Sequence, residues 1–262
     1  MDGGYTFCQG AESNAQDTFY AIETLNILRV PPRNVDRTIK FMRDLQHSDG
    51  SFDSVQVAYY VTAVLSRLRA ELAKPINSFL ESLRALIEKF ENQDVYIEAA
   101  SEFETLYYAV ELIKRHGSLQ SIVQLQKQIS KLQNNDGSFG NKRFSRIAST
   151  FYALKILKLL GYDIRKLHGV LRWIRRCEVP NGGFTAEPEA SSEYMVMEDL
   201  YYGVKALEIL NERCRYPKEN LKLIAKLQNS NGGFRRSVFL GISNFESTYQ
   251  AVSVLKTLSQ QI

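Results

Sequence analysis

Three carboxylates, Asp17, Glu104 and Asp199, each open a stretch that is otherwise nearly uncharged. An acid in apolar surroundings has its pKa raised and can act as a general acid where water is excluded. The same placement suits a carboxylate that caps a helix. Both readings stand, and Asp199 and Glu104 are the candidate catalytic groups. Aligned on these starts, the third positions are Phe19, Tyr59, Leu106, Phe151, Tyr201 and Tyr249. The fourth are Tyr20, Tyr60, Tyr107, Tyr152, Tyr202 and Gln250. A tyrosine column of this kind packs helix on helix, each hydroxyl bonding a neighbour. It equally makes an aromatic wall around a central apolar cavity, with Tyr20, Tyr60, Tyr107, Tyr152, Tyr201 and Tyr202 as the ligand-binding candidates.

Other chemistry is sparse. His47, His116 and His168 have no Cys or carboxylate at metal-ligand spacing, so no metal or cofactor is expected. Glu98, Glu102 and Glu104, with Asp94, either gather a cation or form a solvated helix start. Cys8, Cys177 and Cys214 are odd in number and lack CxxC spacing, which fits free thiols in a reducing compartment.

The elements that carry these residues recur. Gln133-Asn134-Asn135-Asp136-Gly137-Ser138-Phe139 returns as Gln46 to Phe52, as Glu178 to Phe184 and as Gln228 to Phe234. Asp2-Gly3-Gly4-Tyr5 is a partial copy, and Glu91 to Tyr96 is a worn one without its Gly. The aromatic anchors Tyr5, Phe52, Tyr96, Phe139, Phe184 and Phe234 lie roughly 43–50 residues apart, a period that means a repeat architecture. Asp/Asn-Gly is a turn pair, the Gln bonds backbone groups orphaned at the end of the preceding helix, and the aromatic docks the turn on the body.

Before each turn the pattern predicts an amphipathic helix, and after it a greasy one that must be buried on all sides. Greasy segments inside and amphipathic ones outside make an all-α, two-layered molecule over residues 1–262. The alternation fits a closed ring or an open solenoid alike. The chain begins at a turn, so six inner helices meet only five outer ones. An inner helix near Asp17 to Leu28 is then expected to leave an apolar patch at an open seam, for a partner subunit or a second copy to cover.

A net charge of +4 with scattered Lys and Arg points away from nucleic acid. The start is polar and turn-like, and the longest apolar run, near Val55 to Leu65, is too short to span a bilayer. The chain reads as soluble and cytoplasmic.

The Gln-x-x-Asp/Asn-Gly-Ser/Gly-Phe repeats, each followed by a Tyr-bearing apolar helix, resemble the prenyltransferase and squalene-cyclase repeat family. The resemblance implies an α/α toroid whose inner helices line a funnel for an isoprenoid chain, and prenyl transfer or cyclisation in broad class. It makes a helical partner subunit plausible. In the family's protein prenyltransferases, an Asp and a Cys two residues apart hold zinc with a His from a later helix. Asp199 fits the Asp, but Tyr201 stands at the Cys position and Ser247 at the His position. Tyr202 fits a tyrosine that contacts the diphosphate, whereas the Arg and Lys positions before it read Glu193 and Val196. The cyclases' Asp-x-Asp-Asp segment is absent. The resemblance therefore implies an isoprenoid or other apolar ligand without the usual zinc site, or a non-catalytic interaction scaffold that keeps the fold.

Overall fold

A computed structural model describes residues 2–8, 10–92, 97–239 and 241–261. The worn motif copy at Gln93 to Tyr96, with Asp94, lies outside them. Six helices form the inner layer: α1 (Ala15–Leu28), α3 (Val55–Arg67), α5 (Ala100–His116), α7 (Arg146–Leu159), α9 (Met197–Ile209) and α11 (Phe245–Ser259). Five form the outer layer: α2 (Val35–Asp44), α4 (Asn77–Glu91), α6 (Val123–Lys131), α8 (Val170–Cys177) and α10 (Pro217–Lys226). Strand pairing among the described residues is limited to isolated bridges, such as Glu178 with Phe184 and Gln228 with Phe234 at the turns.

Each inner helix packs on the next, and α11 packs back on α1, so the inner layer is a closed ring. Each outer helix backs the inner helix that follows it, from α2 on α3 to α10 on α11. Helix α1 has no outer helix of its own among the described residues. The broad apolar patch expected there is not what the structure has. Phe19, Tyr20, Ala21 and Ile22 are buried between α11 and α3, and the large apolar side chains left exposed near α1 are Phe7, Leu28 and Val30. Ring closure removes the open seam because α1 buries one flank on α11 instead of showing it to water. No helix among the described residues is long and apolar enough to cross a membrane.

The turn motif does what its residue types require. In the copy before α7, Asp136 Oδ1 accepts the amide of Ser138 at 3.1 Å, and Gly137 takes φ +97°. Gln133 Nε2 donates to the carbonyls of Gly137 at 3.0 Å and His168 at 2.9 Å. It thus ties its own turn to the loop ahead of the next outer helix. Gln46 spans its turn in the same way, donating to Gly50 O and Lys74 O, both at 3.0 Å. Glu178, which replaces the Gln, accepts the amide of Arg215 at 2.7 Å. Phe139 and Phe184 are wholly buried, and Phe52 and Phe234 nearly so.

A threonine one turn into three inner helices adds a bond that the motif alone does not reveal. Thr18, Thr150 and Thr248 each accept the backbone amide of the motif aromatic, Tyr5, Phe139 and Phe234, at 3.0 Å. The inner helices also begin earlier than the apolar pattern suggests. Their caps include Asn14, Ser54 and Asn244, whose side chains accept the amides of Asp17, Val57 and Ser247. Asp17 and Asp199 lie inside the first turns, Glu104 lies just beyond the first turn of α5, and none of the three is the N-cap residue.

Candidate functional site

Eleven aromatic rings face the ring's axis, two from each of α1, α3, α5, α7 and α9 and one from α11. They close a belt from helix to helix. Centroid separations run from Phe19–Tyr60 at 5.0 Å and Tyr59–Tyr108 at 4.2 Å, stacked, through Tyr107–Tyr152 at 5.9 Å to Phe151–Tyr202 at 5.2 Å. Tyr201–Tyr249 at 6.0 Å and Tyr20–Tyr249 at 5.3 Å complete the circuit. Most pairs are tilted or edge-on, the geometry that ring quadrupoles prefer. Of the six tyrosines expected to line the axis, Tyr20, Tyr107, Tyr152, Tyr201 and Tyr202 border the axial space, and Tyr60 borders the cavity above it. The belt nearly fills that space, leaving a central void of about 40 Å³.

In the sequence alignment of the inner helices, α5 is out of register by one. The residues it sends to the axis are Tyr107 and Tyr108, while Leu106 packs in the core. Once α5 is moved, Glu104 joins a column three residues before the first ring of each pair: Gln16, Gln56, Glu104, Ala148, Glu198 and Glu246. The misaligned register hid that column, and with it Glu246.

Four members of the column, with Tyr20, Tyr60 and Tyr202, border an upper cavity of about 560 Å³ at the helix starts. Tyr20 Oη donates to Glu246 at 3.1 Å, and Tyr108 Oη donates to Glu104 at 2.7 Å. Tyr152 Oη also donates to Glu104. Burial pushes the Glu246 carboxyl up to about 7. The charges of Glu198 and Glu104 push the same way, against the hydrogen bond from Tyr20 and the charge of Arg236. Glu198 is itself paired with Arg236 at 2.7 Å. A protonated Glu246 next to a neutral phenol is a proton donor at the edge of an aromatic cavity.

Asp199 lies apart from this group. It is 9% exposed and accepts from Ser145 Oγ at 3.0 Å, and burial pushes its carboxyl up to about 6. It borders neither the axial void nor the cavities at its two ends. Tyr201 points to the axis and Ser247 is buried at 2%. The residues at the positions where the resemblance implies zinc therefore do not fit the ion. Among the described residues, no three His, Cys, Asp or Glu side chains gather as a metal site. Glu102 closes the start of α5, accepting the amides of Glu98 at 2.6 Å and Ala99 at 2.7 Å, which explains part of the acidic run there. His47 pairs with Asp53 at 3.0 Å on the surface.

Below the belt, at the helix ends, a lower cavity of about 490 Å³ has Phe151, Tyr201, Tyr249 and Leu159 in its wall. Lys114, Lys155, Lys158 and Lys205 reach it, with Glu111 and Glu208. No sequence motif marks these lysines. Their only signal is position, since Lys155 and Lys205 sit one helical turn beyond the first ring of their pair.

A family model described as the prenyltransferase alpha-alpha toroid domain matches residues 1–95, 74–194 and 186–262. No curated protein matches the sequence. Among solved structures, the chain is similar to a Candida albicans protein geranylgeranyltransferase-I complexed with GGPP, with a TM-score of 0.70 at 16% identity. That similarity covers 94% of this chain and 84% of the other. At such low identity it is a likeness of fold.

Proposed function

The chain belongs to the prenyltransferase alpha-alpha toroid family, and from that premise we propose that it binds an isoprenoid or a comparable apolar chain against the aromatic lining of its axis. The belt of eleven rings carries this reading, because it offers an apolar chain a wall of π-faces from all six inner helices. The chain enters from the upper cavity, where Tyr20, Tyr60 and Tyr202 form the floor. Admission into the small central void requires rotation of some of those rings. Any transfer or cyclisation proceeds without zinc, with Glu246 and Glu104 as the groups placed to move a proton at the upper cavity. Asp199, held by Ser145, supports that step only from outside the cavity. Reducing surroundings in the cytoplasm suit the three free thiols.

The test is a thermal-shift titration with geranylgeraniol beside geranylgeranyl diphosphate, with zinc or magnesium present and absent. A ligand bound only by the folded state at about a hundred times its dissociation constant stabilises by about 2.7 kcal/mol. The alcohol is expected to raise the midpoint, and Val57→Trp, which fills the upper cavity, is expected to remove the rise. A metal-independent shift agrees with the proposal, and a shift that needs zinc contradicts it.

A second reading is favoured by one observation, the nearly filled axis with its carboxylates already bonded to phenols. On this reading the toroid is a non-catalytic interaction scaffold. A helical partner, or a second copy, takes the place of the outer helix that α1 lacks. No shift from either isoprenoid, together with a dimer or complex by light scattering, would put this reading first.

A further inference from the structure

The cavity below the belt joins two surfaces, an aromatic floor and a cationic wall. Lys114 on α5 and Lys155 and Lys158 on α7 have no ion-pair partner among the described residues. Both local carboxylates are already engaged. Glu111 accepts from Tyr107 at 3.1 Å and Arg115 at 3.4 Å, and Glu208 pairs with Lys205 at 3.0 Å. Four lysines against two glutamates leave the wall two charges positive.

Lysines near helix ends are common because they balance the backbone there, and Lys114 and Lys158 occupy last turns. Lys155 does not. It lies inward of the last turn, with Nζ 3.8 Å from the centroid of Tyr107 and 5.3 Å from that of Phe151. An ammonium held over rings at the bottom of a cavity keeps its hydrogen-bond donors free toward the open side.

We propose that the lower cavity is a second binding site, for an amphiphile with an anionic head and an apolar tail. The head, a carboxylate or a phosphate, sits among Lys114, Lys155 and Lys158. The tail lies on Phe151, Tyr201 and Tyr249. The site is distinct from the upper cavity, whose carboxylates repel the same head, and it stands whether or not an isoprenoid binds there. Burial holds the Lys155 ammonium down to about 8, with Glu111 and Glu104 pulling up and Lys205 and Arg115 pulling down. A bound anion replaces part of the lost solvation and raises it.

The experiment is calorimetric titration of the full chain with dodecanoate, dodecyl phosphate and dodecanol at low and moderate salt. At least one anion is expected to bind about ten- to a hundredfold more tightly than the alcohol, as for one or two charge-assisted hydrogen bonds. That preference is expected to shrink with salt and to vanish in the double variant Lys155→Met, Lys158→Gln. Which anion binds distinguishes a carboxylate ligand from a phosphate. Equal binding of alcohol and anions, a preference that survives the lysine substitutions, or no binding at all would each overturn the proposal. Should the double variant not fold by circular dichroism, Glu208→Gln serves in its place. Freeing Lys205 from its pair is expected to tighten anion binding severalfold, and an unchanged affinity would overturn the proposal as well.

Discussion

At the scale of single residues, Glu246 carries the clearest measurable property. Its folded pKa of about 7 lies above the 4.5 of an unperturbed Glu. Between those values the folded chain holds a proton that the unfolded chain has lost. This contribution to stability is full below pH 4.5 and is lost as pH rises toward 7 and above. A shift of this size, discounted for partial exposure, is worth about 1–2 kcal/mol. Glu246→Gln should flatten the fall in urea stability between pH 5 and pH 8 by about that amount. An unchanged slope would show that Glu246 titrates normally. Glu104 was legible in the sequence as a carboxylate heading a greasy helix, and it does border the upper cavity. Glu246 was not, because its column appears only when α5 is shifted by one residue. Asp199 drew attention on the same ground as Glu104, and again through the zinc pattern of the resemblance. Its burial beside Ser145 depends on a contact 54 residues away, which no local pattern encodes.

The turns are the most legible elements. Asp-Gly followed by an aromatic states its conformation locally, and the structure follows it at each described copy. Gly137 shows how tightly. A Cβ built there would lie 2.5 Å from the backbone carbon of Gly169, at a φ that other residues rarely adopt. Gly137→Ala should cost about 2–4 kcal/mol in a urea melt. A loss under about half a kcal/mol would mean that the turn simply yields. This junction is also held by Arg146, 4% exposed, which pairs with Asp136 at 2.5 Å and lies 5.2 Å over the ring of Trp173. Helix starts were less legible, since Asn14, Ser54 and Asn244 precede the apolar run by several residues and the greasy pattern gives no weight to a polar cap. The threonines bonding the motif aromatics were invisible for a similar reason, since a buried hydroxyl reads as one more small residue.

For the whole molecule, periodicity supplied two layers and left closure open. Closure is decided by how each inner helix is rotated against the next, accumulated over six steps, and no repeat contains that sum. A ring has no terminal repeat to fray, unlike an open solenoid. Hydrogen exchange should therefore find the central amides of α1 and α11 about as protected as those of α5 and α7. Exchange faster by several orders of magnitude in α1 alone would show that the contact with α11 opens independently.

The belt of rings also settles the traffic through this molecule. A toroid suggests a tunnel, yet a partition across its middle makes each cavity a cul-de-sac. While the rings keep these positions, whatever goes in at the helix starts must leave by the same door, so arrival and departure at that end take turns. Only a turn of the rings would open a way from one end to the other.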